Sequence, residues 1–457
     1  MRDHKVRRDK TEYGIIIAVG IVFLLLYLVG EKRASDDWYS YYVMNVIREP
    51  GYATFVRLCY NVFGDFWIDA VAIFQNILAA ISVYAFSDFV YRNIWKTGLG
   101  AVLTTGLLLV PHMMTPLGSN THLVLTDTVM AEGIALSLFF FYMIPLTRLL
   151  YEKEKIWKYV LQAHLITLLM CQFRGQMMVA IILTTLVLIC RFAAGRQWKQ
   201  TGLAFAAFVL VFLVNNVIGS GYNLAVNGMY TGKALGPANM VCNVLYVADR
   251  EDGEAIADPA LQQLFYTMYD GMKENKLLDD FAEPGIIGLE SYYEACHDTI
   301  NYDHFEANVQ PYLEANGIDI SNYTLYRVEA DKTATEMMKL LLPECFGPWL
   351  VNYIVVALVG FIRTVAVVHP VLNWYTVFVY LLALVMTLVC IRQDKNSLAA
   401  RFMVTVFIAI CGTVFATSLM IECWARYVFY NMPFFYLGIL LLCREIYRQR
   451  ISGKSYG

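Results

Sequence analysis

From Gly14 to Gly30 the chain runs through seventeen residues without one charged side chain. A helix built from such a segment is apolar around its whole circumference, so it must be buried in protein or in lipid. Spanning a bilayer takes about 20 such residues, and windows of this character recur near 13–30, 66–90, 98–114, 122–147, 159–174, 176–191, 201–222, 371–391, 402–421 and 430–447. The composition agrees: 58% of residues are hydrophobic and only 16% are charged, well below the roughly 25% charged of soluble domains. The first run resembles a secretory h-region but has no small-x-small cleavage site and is followed by more spans, so it is expected to stay as an uncleaved signal anchor.

Lys and Arg mark cytoplasmic ends of spans. They cluster at Arg2 to Lys10, Arg92 and Lys96, Arg148 to Lys158, Arg191 to Lys199, Arg392 to Arg401, and Arg444 to Lys454, a spacing that fits ten crossings with both termini inside. Phe346 to Val368 is also apolar, but an eleventh crossing there would strand Arg392, Lys395 and Arg401 outside. It is therefore expected to lie flat or re-entrant on the outer face, as an interfacial helix carrying Arg363. The expected organisation is an all-α integral membrane protein with a bundle over 1–225, whose first outer loop covers 31–65. A small, mainly helical extracytoplasmic domain follows over 226–345, then an interfacial helix over 346–370 and C-terminal spans over 371–457.

The outer domain is acidic. Between Val226 and Glu344 stand 21 acidic and 7 basic residues, net −14, against 28 basic and 17 acidic, net +11, in the rest. Recurring tyrosines and the helical spacing of "DPALQQLFYTMYDGMKENKLL" predict a folded unit rather than a disordered one. No repeat, low-complexity tract or basic nucleic-acid patch is visible. Ten scattered cysteines have no metal spacing and read as small buried hydrophobes, although Cys242, Cys296 and Cys345 leave room for one disulfide.

Charges at span mouths carry the functional signal. "ASDDWYSYY" places Asp36 and Asp37 after the first span and before four aromatics, and "WYSYYVMNVIR" followed by "EPGYATFVRLCYNVFG" reads as two short interfacial helices. An Asp there either caps a helix N-terminus or works in a cavity, and one of the pair can do each. In "LVLTDTVMAEGIALSLFFF", Asp127 suits a cap, whereas Glu132, more than a turn deeper, needs a wet cavity or a partner. Arg174 breaks "CQFRGQMM", and Arg426 opens "CWARYVFYNMPFF" one turn after Glu422. These arginines either hold a phosphate in two-point geometry or pair with Glu132 and Glu422 to hold the bundle. Lys233, Arg363 and His369 add positive or titratable groups on the same side. In "EACHDTINYDHFE" the spacing of His297, Asp298, Asp303 and His304 matches no compact metal motif and predicts a solvated helix face. No G-x-S-x-G, H-E-x-x-H or P-loop occurs.

The ordered landmarks "DDWYSYY", "REPGYATFVRLCYNVFGDFWIDAVAIFQNILAAISVYAFSDFVYR", "MAEGIALSL", "FRGQM" and "ARYVFYNMPFF" resemble those of the polytopic, lipid-phosphosugar-dependent glycosyltransferases of superfamily C. The bacterial branch of aminoarabinose transferases and protein O-mannosyltransferases is the most similar. The resemblance covers the first two hundred residues and the last span. It implies a helical bundle with two outer juxtamembrane helices, a bacterial inner-membrane location, and transfer of a sugar from polyprenyl phosphate to an acceptor hydroxyl on a glycan, lipid or protein. It also implies that Asp36 or Asp37 is the catalytic acid-base group, that Glu132 opens the fourth span at the substrate cavity, and that Arg174, Arg426 and Tyr427 face the substrate; the position of the residues themselves adds Asp127, Tyr41, Lys233 and Arg363 as substrate-side candidates. The second acid is Asp where Glu is frequent. The aromatic expected four residues on is Tyr41 if Asp37 acts, but Ser40 stands there if Asp36 does.

That reaction requires no cofactor, because the lipid phosphate is already an activated leaving group, and nothing in the spacing supports a divalent cation. In-line attack predicts inversion. A polysaccharide polymerase or ligase would be expected to carry working arginines in its large loop, which here has only Arg250 and Arg327. A transporter or flippase would place charges and broken helices at mid-membrane.

Overall fold

The structure, a computed structural model, describes residues 9–113 and 124–453. Of the expected basic clusters, Arg2 to Arg8 and Lys454 lie outside the described residues. The described chain is helical apart from a two-residue parallel ladder, β1 (Arg33–Ala34) with β2 (Thr128–Val129). Its helices are α1 (Lys10–Val29), α2 (Trp38–Tyr42), α3 (Pro50–Phe63), α4 (Trp67–Asn93), α5 (Gly98–Met113), α6 (Ala131–Tyr151), α7 (Ile156–Phe173), α8 (Val179–Ala194) and α9 (Trp198–Asn227). The polar domain contributes α10 (Gly236–Leu245), α11 (Pro259–Glu274), α12 (Ile286–Thr299), α13 (Ala307–Ala315) and α14 (Tyr323–Leu341). Then follow α15 (Phe346–Val365), α16 (Pro370–Gln393), α17 (Leu398–Met420), α18 (Ala425–Val428) and α19 (Met432–Gly453).

Among the described residues, nine helical stretches are long and apolar enough to cross a membrane. Eight correspond to expected spans and the ninth is α15. Expected spans 98–114 and 159–174 fall outside that set: α5 is short, and α7 carries Lys158, Gln162, His164 and Gln172. Both still run between the same two faces, α5 packed on α4 and α19, α7 on α6. The fourth expected span starts later than its hydropathy implied, at Ala131, because residues 128–129 are drawn into the ladder. Side chains such as Leu25, Leu28, Leu210, Leu213, Phe378 and Leu381 leave an exposed apolar surface on α1, α9 and α16, as lipid contact requires. The chain is a multi-pass membrane protein.

The face that carries residues 228–345 is called the domain face. At the opposite face Arg92 pairs with Glu12 and Asp88, both at 2.8 Å. Arg191 donates to the carbonyls of Leu149 and Glu152, Arg401 to Leu150 at 3.2 Å and Arg444 to Ile94 at 2.7 Å. The orphan carbonyls at the ends of α4 and α6 thus meet cations, which the helix dipole favours.

α15 does not run down the bundle. Tyr353 donates to the carbonyl of Phe415, Tyr436 donates to that of Val365, and a methyl group on Gly360 would collide with Cys423. The middle and the C-terminal end of α15 therefore meet the domain-face ends of α17 and α19. Arg363 fastens it to the domain, reaching Glu290 at 2.8 Å and Glu294 at 2.6 Å. All ten cysteines are free, including Cys242, Cys296 and Cys345, so the disulfide left open by the sequence is absent among the described residues.

Two tests follow from this packing. A methyl group on Gly51 would meet the backbone oxygen of Gln172 at 2.7 Å, and backbone cannot swing away. Gly51→Ala should push α3 off α7 and cost about 1–3 kcal/mol, read as a fall in melting temperature in detergent. Burial pushes the Glu290 carboxyl up to about 7, against the pull of Arg363 and with the help of Glu294. The folded state then holds this proton more tightly than the unfolded state, so its contribution is present below the ordinary glutamate range and is lost as pH rises through about 7. Glu290→Gln should flatten that part of the fall in melting temperature between pH 5 and pH 8.

Candidate functional site

The domain face gathers charged side chains from five stretches, at 37–49, 132, 174, 233 and 426. Glu132 sits in the first turn of α6, where the helix N-terminus favours a carboxylate, and is 4% exposed. Arg174 occupies the extended break between α7 and the 3₁₀ turn Gly175–Met178, with φ −154°, so its side chain leaves the helix line and reaches Glu132 Oε1 at 2.8 Å. Arg426, on α18, brings its Nε to 3.9 Å from the same oxygen and donates to the Tyr427 hydroxyl at 2.9 Å. The Tyr427 ring lies under both guanidiniums, each 5.0 Å from its centroid, and Trp424 lies under Arg426 at 4.3 Å. Gln176 completes the frame, accepting from Arg174 Nε at 3.1 Å and donating to the Tyr427 carbonyl at 2.6 Å and to Thr417 at 2.8 Å. Two guanidiniums share one carboxylate, leaving one positive charge without a counter-charge in this group.

A second group adjoins it. Glu49 Oε1 accepts from the Gly175 N–H at 2.8 Å and from Lys233 at 2.6 Å. Burial pushes the Glu49 carboxyl up, but Lys233 and the Gly175 N–H outweigh it and hold it below its ordinary value. Arg48, one residue earlier, pairs with Asp37 at 2.5 Å, donates to Ser40 at 2.7 Å and covers the Tyr41 ring at 4.6 Å. Tyr41 packs edge-on against Tyr52 at 4.8 Å. Its phenol is raised by burial, with Arg48 opposing and Glu132, Glu49 and Asp37 adding. From the domain, Tyr302 feels the charges of Asp37 and Arg48. Its phenol is pushed up to about 12 by burial and then by Asp298 and Asp37, with Arg48 opposing.

No protein-family model matches the chain, and no curated protein does. One solved structure is similar. It is the crystal structure of ArnT from Cupriavidus metallidurans in the apo state, with TM-score 0.32 and 11% identity over 94% of this chain and 76% of that one. A likeness of that degree carries no argument, and the functional reading below stands on the geometry.

Among the sequence candidates, Glu132, Arg174, Arg426 and Tyr427 form one cluster, and Asp37, Tyr41 and Lys233 stand beside it. Asp127 does not join them. It is wholly buried against α4, where Oδ1 accepts from Asn76 at 2.6 Å, because the β1–β2 ladder turns its side chain into the bundle. Arg363 is also elsewhere, held by the glutamates of α12. Asp36 is exposed and has no ion pair or hydrogen bond among the described residues, while Asp37 stands at the N-cap of α2 without capping it. The expected pairing of Glu422 with an arginine is replaced by contact with His297, Nδ1 to Oε2 at 3.1 Å. The segment "EACHDTINYDHFE" presents a solvated face only in part: Asp298 and Asp303 are exposed, whereas His297 and His304 are buried.

Two groups escaped the sequence reading. Arg48 and Glu49 lie in a polar connector where charges are unremarkable, and only their partners, eleven and 184 residues away, give them meaning.

Removing the shared carboxylate isolates the buried cations. Glu132→Gln should destabilise the protein by about 3–5 kcal/mol, the usual result of stranding a buried charge. Lys233→Ala removes a partner that is 43% exposed at its side chain and should cost no more than about 1 kcal/mol. Thermal unfolding of the two variants in one detergent checks the contrast.

Proposed function

We propose that the chain is a membrane glycosyltransferase that moves a sugar from a polyprenyl phosphate to an acceptor hydroxyl at the domain face, taken as extracytoplasmic with both termini in the cytoplasm. The observation that carries this reading is the sharing of Glu132 by Arg174 and Arg426. An uncompensated guanidinium at a membrane mouth is suited to a lipid phosphate, and the Asp37 carboxylate stands nearby.

In this reading the acceptor O–H gives its proton to a carboxylate oxygen of Asp37 as its oxygen bonds to the anomeric carbon. The bond from that carbon to the phosphate oxygen breaks, and the electron pair leaves on the polyprenyl phosphate. Arg174 and Arg426 stabilise the charge that develops there, more strongly than in water because the site is largely buried. Attack opposite the leaving group inverts the anomeric centre. Arg48 donates to Asp37 Oδ1 and fixes its direction, a reason to prefer it to Asp36. A groove of about 690 Å³ beside Lys233, lined also by Asp331, Lys332 and Lys339, offers the acceptor an approach from the domain side. Charges gathered at one face, rather than at mid-membrane, disfavour a transporter.

In membranes supplied with a polyprenyl-phosphate-linked sugar, Asp37→Asn should fold normally and lose about 10²–10⁴-fold in transfer rate, the typical contribution of a general base. Asp36→Asn should retain most activity. Full transfer by Asp37→Asn removes that residue from the mechanism, and unchanged donor binding in Arg174→Gln removes the phosphate role.

A further inference from the structure

Outside the proposed transfer site, three ligand-bearing groups from distant parts of the chain converge. His297 and Asp298 end α12 in the domain, and Glu422 lies in the short connector between α17 and α18. His297 Nδ1 stands 3.1 Å from Glu422 Oε2 and 3.4 Å from Asp298 Oδ1, and one ligand atom from each residue lies within 4.8 Å of the others. His297 is 1% and Glu422 2% exposed, whereas the Asp298 side chain is 62% exposed and leaves an entry path.

The contacts do not satisfy the groups that make them. Despite its closeness to the ring, Glu422 Oε2 has no hydrogen-bond donor, and His297 Nε2 and Trp424 Nε1 also lack partners. A buried carboxylate oxygen without a donor is destabilising, so the arrangement is incomplete as a hydrogen-bonded clasp. Two carboxylates and a neutral imidazole carry a charge of −2, which a divalent cation neutralises. With metal–nitrogen and metal–oxygen bonds of about 2.0–2.2 Å, tetrahedral ligands lie roughly 3.4 Å apart, close to the separations seen. One nitrogen and two carboxylate oxygens suit zinc and its first-row neighbours rather than calcium or magnesium.

We propose that His297, Asp298 and Glu422 form a binding site for a divalent transition metal of the zinc class, tying the domain to the connector that carries Arg426. Three ligands leave one position to water. The ion holds Glu422 against α12, four residues before Arg426, and Trp424 between them lies under the Arg426 guanidinium. Its role is positional, and it binds whether or not the chain transfers sugar.

The test uses the full-length protein in detergent, stripped with chelator, dialysed and titrated with zinc chloride alone. Wild type should bind one equivalent and gain several degrees in melting temperature. Asp298→Asn, at an exposed position that threatens folding least, should weaken binding at least tenfold, and Glu422→Gln or His297→Gln should abolish it. His369→Asn, at an exposed histidine distant in sequence, should bind as wild type does. Failure of wild type to retain near-stoichiometric zinc overturns the proposal. So does undiminished binding in folded Asp298→Asn or Glu422→Gln, equal loss in His369→Asn, or a melting temperature that follows pH but ignores zinc.

Discussion

One buried carboxylate decides how the domain face is built. Glu132 holds the start of α6 to the break after α7 and to α18, segments that the chain supplies about 40 and about 290 residues later. Neither arginine could remain at its depth without it, because an isolated guanidinium in a poorly solvated site is too costly to keep. The backbone follows the same need. α7 stops and the chain extends at Arg174 so that the side chain reaches inward, and the following 3₁₀ turn offers the Gly175 N–H to Glu49. Two ion-pair groups are thereby joined through one peptide.

The second constraint is the mismatch between an acidic domain and a basic bundle. They meet at the boundary through apolar packing that runs on into one core and through a few polar contacts, such as Asn243 donating to the carbonyl of Leu419 at 3.1 Å. Arg363 grips two glutamates of α12; within the domain, Asp331 accepts from the N–H groups of Leu235 and Ala238 at 2.9 and 3.1 Å, holding the start of α10. Burial pushes Asp331 up to about 6, so this clasp inside the domain rests on a carboxylate that does not favour its charged form. The domain is thus joined to the helices beneath it by packing as well as by charge.

Much of this was legible in the sequence where physics acts locally. Hydropathy and Lys/Arg placement located the crossing helices, because lipid contact and interface charge mark each segment independently of its neighbours. Glu132, Arg174 and Arg426 stood out because charge inside an apolar stretch demands an explanation. Pairing was less legible. Asp127 and Glu132 look alike in sequence, and only the ladder that turns one toward Asn76 separates them. Glu422 was expected to meet an arginine one turn away and instead faces a histidine on α12, since the chain leaves the helical path between Ile421 and Trp424. Arg48 and Glu49, ordinary in a polar connector, gain significance only from partners that no local pattern identifies.

The arginines at the face opposite the domain have a further meaning. Arg191, Arg401 and Arg444 give N–H groups to main-chain carbonyls, whereas Lys153, Lys155, Lys158, Lys199 and Lys395 are exposed. Orientation during insertion responds to either kind of cation, so the two populations are equivalent while the chain is being threaded. They diverge once the helices assemble, when the planar guanidiniums become internal struts and the ammonium groups stay with the lipid headgroups. The same code that sets which way the chain enters the bilayer therefore also supplies the fasteners that close the bundle afterwards.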